Sequence, residues 1–299
     1  MLPLVSIHFP TFNHERFVAQ AIDSALNQSY ENIEICISDD YSTDGTREIL
    51  RSYAKSHQDV IRVNFQAANV GMVKNLNAAL EMCAGKYVCF LTGDDYFYPD
   101  KVRRQVQLFE RDRTLALVGH LIRTIDSEGT ELKSALDLNL AGRGPRKWIE
   151  NGPLYSALSI MVLRESIPDI GFDERVPVLN DIKFWVDCLA NGGGYKLIRE
   201  RLGVYRKTPK GVTADVMRCI NEYPNLYEVL QASYPQWSSS CRKGLINGAT
   251  YGRGVYYANA GDFARSNEYF LKALKENPGN VKPIIRLMLN VVGLVRSKI

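Results

Sequence analysis

The sequence predicts an α/β protein in which a mainly parallel β-sheet is flanked by helices and followed by a C-terminal α-helical region. Short apolar segments alternate with amphipathic helical patterns over the first hundred residues. Such alternation is typical of a parallel sheet that is covered by helices on both faces. From Asp215 onward the pattern is helical throughout. The order of the segments therefore predicts the fold class before any motif is considered.

Composition restricts the class of protein. The chain has 299 residues, of which 45% are hydrophobic and 23% charged, so it can bury a sizeable core and is not disordered, collagen-like or a disulfide scaffold. No segment reaches the roughly 18 uncharged apolar residues of a membrane span, and the first residues lack a basic leader. The six cysteines never occur as C-x-x-C. We therefore expect reduced thiols and a cytoplasmic location.

Each predicted strand in the first hundred residues is followed by a predicted helix. The strands are short and apolar, and the helices carry apolar residues at the spacing of one helix face. In sheets of this type ligands bind at the carboxyl ends of the strands. The predicted strands lie at 4–9, 33–38, 61–65 and 87–91, and the predicted helices at 15–27, 45–54, 71–83 and 99–109.

The regular alternation ends near residue 110. We expect a long strand over 115–125, a further apolar segment at 159–163, a helix over 181–190 and a strand over 195–205. Between the first two lies 126–155, which is rich in Gly, Pro, Asn and charged residues. Such segments are typical of the loops that shape a substrate pocket.

The C-terminal region is basic. Residues 1–195 contain 20 basic and 26 acidic side chains, whereas 196–299 contain 17 and 7, a pattern that fits an anionic surface, an acidic partner or simply solvated helix faces. Residues 254–278 resemble one tetratricopeptide-like helical hairpin. Because such repeats stack in about three copies or more, a single copy favours a hairpin that packs on the rest of the protein. The apolar segment 281–299 fits either a membrane surface or packing on the preceding helices.

Two acidic turns follow strands of the predicted sheet. The turn from Asp39 to Thr46 opens a helix, and its carboxylates are able to accept hydrogen bonds from a nucleobase or ribose, although an acidic helix cap explains it equally simply. The Asp94-Asp95 pair follows the fourth strand. Adjacent carboxylates repel each other unless a cation offsets their charge, which points to Mg²⁺ or Mn²⁺; a solvated acidic turn is the simpler interpretation. Both turns are expected to face one crevice.

A third acidic site, Asn180-Asp181, opens the helix predicted at 181–190. Asp181 fits either a helix cap or a general base, and spacing alone does not choose between them. The histidines have no metal-ligand spacing, and no G-x-S-x-G, Walker or G-x-G-x-x-G element occurs in the right context. Basic residues are not interleaved with aromatic ones, so we expect no nucleic acid partner.

Together these segments resemble the family 2 glycosyltransferases, whose GT-A fold is a Rossmann-like, mainly parallel sheet flanked by helices. The resemblance covers about residues 4–210. It rests on sequence blocks that follow one another in the family's order, which are far more specific together than singly. The blocks are Val5-Ser6-Ile7-His8-Phe9-Pro10-Thr11-Phe12-Asn13, Ala25-Leu26-Asn27-Gln28-Ser29-Tyr30, the Asp39 to Thr46 turn, Asn69-x-Gly71 with Lys74, and Asp94-Asp95 with Asn180-Asp181.

The resemblance implies a role for each matching residue. Asp95 occupies the metal-binding position, and Asp181 that of the catalytic base. Substrate-binding roles fall on Pro10, Thr11, Asn13, Asp40, Lys74, Asp94 and Arg206. Three positions depart from the family pattern: Tyr41 replaces a common Gly, Lys74 replaces the more usual Arg, and Thr208 stands where a His often follows Tyr205-Arg206.

The resemblance also implies an activity. It is that of a Mg²⁺- or Mn²⁺-dependent, inverting hexosyl- or N-acetylhexosaminyltransferase that uses a UDP-, GDP- or dTDP-sugar. The acceptor would be a hydroxyl of a cell-surface glycan, glycolipid or protein. We expect residues 1–110 to bind the nucleotide-sugar, 111–212 to form the acceptor side of the GT-A domain, and 213–299 to be helical. Peripheral membrane contact would involve 281–299.

Two other functions fit parts of the sequence. A nucleotidyltransferase of related topology would usually carry a Gly-rich basic loop after the first strand, and residues 10–14 are not such a loop. A non-catalytic scaffold could bind a partner through the helical hairpin. Four carboxylates gathered at one crevice argue against a scaffold, because it has no use for them.

Overall fold

The computed structural model describes residues 2–132, 141–209, 211 and 214–291. The chain folds into two compact units. The first unit comprises Met1–Pro145, Leu154–Pro177 and Phe184–Thr208. The second comprises Arg146–Pro153, Val178–Lys183 and Pro209–Ile299.

The first unit contains a ten-stranded mixed sheet. Its main order is β3-β2-β1-β4-β9-β6-β10-β5, with β7 paired to β6 and β8 to β10. The strands β1 to β4 and the long β6–β10 pair are parallel, whereas the short strands pair antiparallel. The strands are β1 (Val5–Thr11), β2 (Ile33–Asp39), β3 (Ile61–Phe65), β4 (Tyr87–Phe90), β5 (Tyr96–Phe97), β6 (Leu115–Ile125), β7 (Glu131–Leu132), β8 (Ala141–Arg143), β9 (Met161–Leu163) and β10 (Gly194–Arg206).

Four helices connect the first strands, as the alternating pattern predicts. Each buries an apolar face; in the first of them this face consists of Val18, Ala21, Ile22 and Ala25. Helical crossovers of this kind are the usual connection between parallel strands. The helices are α1 (Val18–Leu26), α2 (Thr46–Ser56), α3 (Met72–Glu81) and α4 (Lys101–Arg111).

Helix α1 begins three residues later than the sequence predicts. The predicted first residue, Glu15, belongs to a turn that contacts the residues directly before α2: its backbone N–H donates to Asp44 Oδ2 at 3.1 Å, and its side-chain Oε2 accepts the Gly45 N–H at 2.9 Å. The continuous helical bonding pattern starts only afterwards, with the Ala21 N–H donating to the Phe17 carbonyl at 3.1 Å. These contacts to a neighbouring turn delay the helix.

Strand register aligns the carboxyl ends of the central strands. Thr11, the last residue of β1, lies opposite Asp39, the last residue of β2. On the other side of β1, His8 pairs with Phe90 at the end of β4. The turns that follow these three strands therefore leave the sheet at the same edge, where open parallel sheets bind their ligands.

Helices make up most of the second unit. They are α5 (Arg146–Asn151), α7 (Val216–Ser233), α8 (Ser238–Leu245), α9 (Gly252–Asn259), α10 (Phe263–Glu276) and α11 (Lys282–Val291), together with a six-residue π-helical segment, Ile246–Tyr251. Helix α6 (Asn180–Leu189) has residues in both units. The predicted helical hairpin forms between α9 and α10, where a Cβ on Gly254 would lie 2.5 Å from the Phe270 ring. Glycine at this position therefore permits the two helices to pack closely.

Helix α11 packs on α10 through a polar contact. The buried Asn290 side chain donates to Ser266 Oγ at 3.0 Å and to Asn267 Oδ1 at 2.7 Å. Ile285 and Met288 on the same helix are 54% and 63% exposed. The last eight residues of the predicted segment 281–299 lie outside the described residues. None of the described helices is both long and apolar enough to span a bilayer.

A lysine is fully buried beneath the sheet. Lys101 Nζ donates to Gln105 Oε1 at 2.8 Å and lies 4.2 Å from the centre of the Phe97 ring. Its side chain has no solvent exposure. Burial lowers the pKa of Lys101 to about 8. The folded state therefore disfavours the charged ammonium that an unfolded chain carries at neutral pH.

Replacing Lys101 with methionine is expected to change the pH dependence of stability. The unfolded lysine stays protonated up to about pH 10.4, whereas the folded one loses its proton near pH 8, so wild-type stability rises between these values. K101M should have a higher free energy of unfolding than wild type, and this difference should shrink by about 2 kcal/mol between pH 7 and pH 9.5. Urea unfolding at both pH values measures it, with the exposed Lys55→Met as control. If the difference in free energy of unfolding did not change with pH, this result would contradict a lowered pKa of the buried Lys101.

Candidate active site

The turn after β1 is tied to the turn after β2. Asn13 adopts a left-handed backbone conformation, with φ 55°. Its side-chain Oδ1 accepts the Thr43 N–H at 2.8 Å, and its own N–H donates to Ser42 Oγ at 2.8 Å. In the same turn, the buried Thr11 hydroxyl is hydrogen-bonded to His14 Nδ1 at 2.9 Å. The first two turns therefore form one hydrogen-bonded assembly.

The two carboxylates that follow β2 are both fixed. Asp39 accepts the Ser42 N–H at 3.0 Å, and its Oδ2 lies 3.2 Å from Arg47 Nε. The buried Asp40 accepts the N–H groups of Val70 at 2.7 Å and Gly71 at 3.1 Å. Burial raises the pKa of Asp40, and these two hydrogen bonds offset part of that effect. Asp40 thus anchors the segment that precedes α3 as well as lying at the ligand-binding edge.

The third turn holds the predicted metal site. Asp95 is buried; its Oδ1 accepts the Arg206 N–H at 2.8 Å and its Oδ2 accepts the Thr92 hydroxyl at 3.0 Å. Burial, and then the charge of Asp94, raises the pKa of Asp95 well above its usual range. A buried carboxylate next to a second carboxylate is costly unless a cation offsets the charge.

Arg206 locks this turn in place. Its Nε donates to the Asp94 carbonyl at 3.0 Å and its Nη2 to Gln20 Oε1 at 2.8 Å. The guanidinium carbon lies 4.3 Å from the centre of the Phe17 ring. The last residue of β10 therefore reaches both the acidic turn and α1.

His14 is a residue at this site that the sequence did not single out. A Cβ on Gly93 would lie 2.4 Å from His14 Nδ1, so the imidazole packs directly against the third turn. Burial lowers the pKa of His14, and the charge of Asp94 acts in the opposite direction. Its position directly after Asn13, in the turn that follows β1, is the signal that would have revealed it.

The remaining predicted residues of the first unit have simpler surroundings. Pro10 lies within β1, opposite Ser38. Lys74 lies in the first turn of α3, and its Nζ is 3.9 Å from Glu174 Oε2, with both side chains more than half exposed. An exposed pair at this separation contributes little to stability. The substrate-binding roles of these two residues stay predictions.

Asp181 belongs to the second unit and lies in the first turn of α6. Its Oδ1 accepts the N–H of Ile182 at 2.8 Å. Burial raises the pKa of Asp181 to about 6. On α7, burial, with a further contribution from the Asp181 charge, raises the pKa of Cys219 and also that of Tyr223, the latter to about 12. A carboxyl group with a pKa near neutrality is suited to accept a proton.

The acidic pair fits a divalent cation that is shared with a ligand. Within the described parts of the chain, no three His, Cys, Asp or Glu side chains are grouped as a complete metal site. Mg²⁺ is commonly held by one or two carboxylates together with substrate phosphates rather than by a cage of protein ligands. Burial makes the charged form of the Asp95 carboxyl unfavourable, as its raised pKa indicates, and such a cation would offset this effect. The donor set therefore suits Mg²⁺ or Mn²⁺ bound beside a diphosphate.

The strand order and the acidic edge define an α/β fold of the GT-A class. Comparison with known proteins identifies the family: the family model described as "Glycosyl transferase family 2" matches residues 6–171, more than half of the chain. The chain belongs to this family. A chondroitin synthase of Escherichia coli is 36% identical over 156 residues, which cover 52% of this chain and 20% of that protein. The chain thus spans about a fifth of that relative.

Two solved structures confirm the fold. Residues 1–349 of TarS from S. aureus, in complex with UDP-GlcNAc, match with a TM-score of 0.68 and 15% identity over 97% of this chain and 87% of that one. The mannosyltransferase PcManGT from Pyrobaculum calidifontis, in complex with GDP-Man and Mn²⁺, matches with a TM-score of 0.66 and 17% identity over 100% and 82%. The GT-A fold predicted from the sequence is therefore confirmed.

Replacing Gly93 with alanine is expected to disturb the site. The added Cβ would lie 2.4 Å from His14 Nδ1 and 2.8 Å from Thr11 Oγ1, so both turns must shift. Such overpacking typically costs about 1–3 kcal/mol. A thermal melt should show a lower Tm for G93A. Gly279→Ala is the matched control, because the nearest atom to its Cβ lies at 3.9 Å. An unchanged Tm for G93A would contradict the tight contact between the turns.

Proposed function

We propose that this chain transfers a hexosyl or N-acetylhexosaminyl group from a nucleoside-diphosphate sugar to an acceptor hydroxyl, with inversion at the anomeric carbon. The observation that carries the proposal is the acidic pair Asp94-Asp95 at the carboxyl edge of the sheet, beside the fixed turns that follow β1 and β2. Family membership supports the reaction class. Related folds hold UDP-GlcNAc and GDP-Man, which supports a nucleotide-sugar as donor.

The donor would lie across the three turns. Thr11, Asn13 and Asp40 would bind the nucleotide, and Asp94 the ribose or the sugar. Asp40 keeps unused lone pairs, since each of its oxygens accepts one backbone N–H and a carboxylate oxygen can accept two bonds. Pro10 and Lys74 complete the proposed donor site. Arg206 would act mainly by holding the acidic turn.

Asp95 would hold Mg²⁺ or Mn²⁺ next to the donor diphosphate. A bound divalent cation offsets negative charge on the departing diphosphate. The fold of a mannosyltransferase that binds GDP-Man together with Mn²⁺ supports this assignment. Thr92 and the Arg206 backbone N–H would keep the Asp95 carboxylate oriented whether or not the cation is present, because they bond one oxygen each.

Asp181 would take the proton from the acceptor hydroxyl. Its pKa of about 6 leaves it ionised at neutral pH but basic enough to accept a proton. Attack from the face opposite the leaving group in one displacement inverts the configuration. The acceptor is proposed to be a cell-surface glycan, a glycolipid or a protein, as in polysaccharide biosynthesis.

The remaining assignments concern the roles of the three parts of the chain and the location of the protein in the cell. We propose that residues 1–110 bind the donor, that 111–212 contribute to the acceptor side and that 213–299 form a helical region. A cytoplasmic location with peripheral membrane contact through 281–299 is part of the proposal. The exposed Ile285 and Met288 support that contact, because an interfacial helix buries such side chains in the lipid surface.

Replacing Asp95 with asparagine is expected to remove metal-dependent donor binding. The amide keeps the shape of the carboxylate and an acceptor for the Arg206 N–H but loses the charge that a cation needs. Calorimetry with UDP-GlcNAc and GDP-mannose should show at least a roughly tenfold loss of affinity in Mn²⁺ and little change in EDTA. The exposed Asp59→Asn serves as control. Equal Mn²⁺-dependent affinity in D95N and wild type would exclude Asp95 as a metal ligand.

Replacing Asp181 with asparagine is expected to lower turnover by roughly 10² or more while donor affinity is kept. In the wild type, kcat/KM should fall below about pH 6, where Asp181 is protonated. Near-normal turnover of D181N would remove Asp181 as the base.

The same variant has an independent stability readout. The pKa of Asp181 is higher in the folded state, so its ionisation disfavours folding above pH 6 and has no effect well below pH 4. D181N should therefore have a higher Tm than wild type at pH 8, and this gain should vanish as the pH falls well below 4. An equal Tm at pH 8 would contradict the burial of this carboxylate.

A further inference from the structure

Tyr41 adopts a backbone conformation that disfavours its side chain. Its φ is 61°, in the left-handed region. Across the described residues, only Asn13 shares this property among the non-glycine positions, and asparagine tolerates it far better than a bulky aromatic residue. The ring is nevertheless 43% exposed, so little core packing repays the strain. Unfavourable backbone conformations of this kind concentrate at ligand-binding sites.

The exposed ring is held in one position. The Arg47 guanidinium carbon lies 5.3 Å from its centre, and Arg47 lies close to Asp39, with Nε 3.2 Å from Oδ2. Arg47 also donates to the Gln66 carbonyl at 3.1 Å and lies 5.1 Å from the centre of the Phe65 ring. The cation is thus fixed from several sides and supports the tyrosine ring. A fixed flat surface binds a flat ligand with little loss of side-chain freedom.

The position of Tyr41 selects the part of the ligand that it would meet. It follows Asp40 directly, at the carboxyl edge of β2, and Asp40 is one of the residues proposed to bind the nucleotide. The adjacent amides of Val70 and Gly71 hold the Asp40 carboxylate at 2.7 and 3.1 Å. The nucleobase is the planar part of a nucleotide-sugar, and aromatic side chains stack on any of the bases.

We propose that Tyr41 is a stacking surface for the nucleobase of the donor. The inference rests on the proposed function, because it assumes that the edge binds a nucleotide. Stacking recognises the flat face of a base and not its hydrogen-bonding groups, so Tyr41 would strengthen the binding of uridine and guanosine nucleotides alike. The energy gained on binding explains why a strained tyrosine occupies a position that suits glycine.

The test compares Tyr41→Gly and Tyr41→Phe with wild type. Calorimetry in Mn²⁺ would use three ligands: UDP, GDP and ribose 5-diphosphate, which has no base. Y41G should bind UDP and GDP about tenfold more weakly, equivalent to about 1.4 kcal/mol, and ribose 5-diphosphate as tightly as wild type does. Y41F keeps the ring and should bind all three normally. Tyr256→Ala, which removes another exposed ring, is the matched control.

Stability separates stacking from a structural role. Glycine relieves the backbone strain, so the Tm of Y41G is expected not to fall. A lower Tm with equal loss of affinity for all three ligands would show that Tyr41 only supports the turn, and would overturn the inference. Unchanged affinity of Y41G for UDP and GDP would overturn it while the proposed function stands. If wild type binds neither nucleotide, the proposed function itself fails.

Discussion

The site depends on a buried carboxylate. Asp95 is withdrawn from water next to a second acid, which makes its charged form costly. The fold compensates with a backbone N–H from Arg206 and the hydroxyl of Thr92, and the Arg206 side chain binds the Asp94 carbonyl. The end of β10, the acidic turn and the start of α1 are thereby joined around one negatively charged group. A cation bound at this point would further offset the cost of burying the Asp95 charge.

Rigidity at the carboxyl edge comes from hydrogen bonds between turns as well as within them. Asn13 bonds to Ser42 and Thr43, and Asp40 bonds to the segment before α3. These contacts keep two left-handed residues, Asn13 and Tyr41, in place. Backbone strain persists only where surrounding structure enforces it. The edge is therefore held in shape before a ligand arrives, which reduces the ordering that binding would require.

Local patterns predict the first half of the fold well. The predicted bounds of β3 and β6 agree with the structure, because short apolar segments next to amphipathic helices have few alternatives. The order of blocks also predicts the family. What the sequence does not predict is local detail. Helix α1 begins late because Glu15 contacts a neighbouring turn. Lys101 is fully buried, although a lysine in an amphipathic helix is usually exposed to solvent. Neither contact has a signal in sequence spacing.

The other features that the sequence does not predict depend on contacts between residues that are far apart in the chain. Arg206 and Asp95 are separated by 111 positions, and no periodicity relates them. A chain grows from its N-terminus during synthesis. The acidic turn is therefore made long before its backbone donor at the end of β10. The ligand-binding edge therefore lacks one of its hydrogen bonds until the end of β10 has been made.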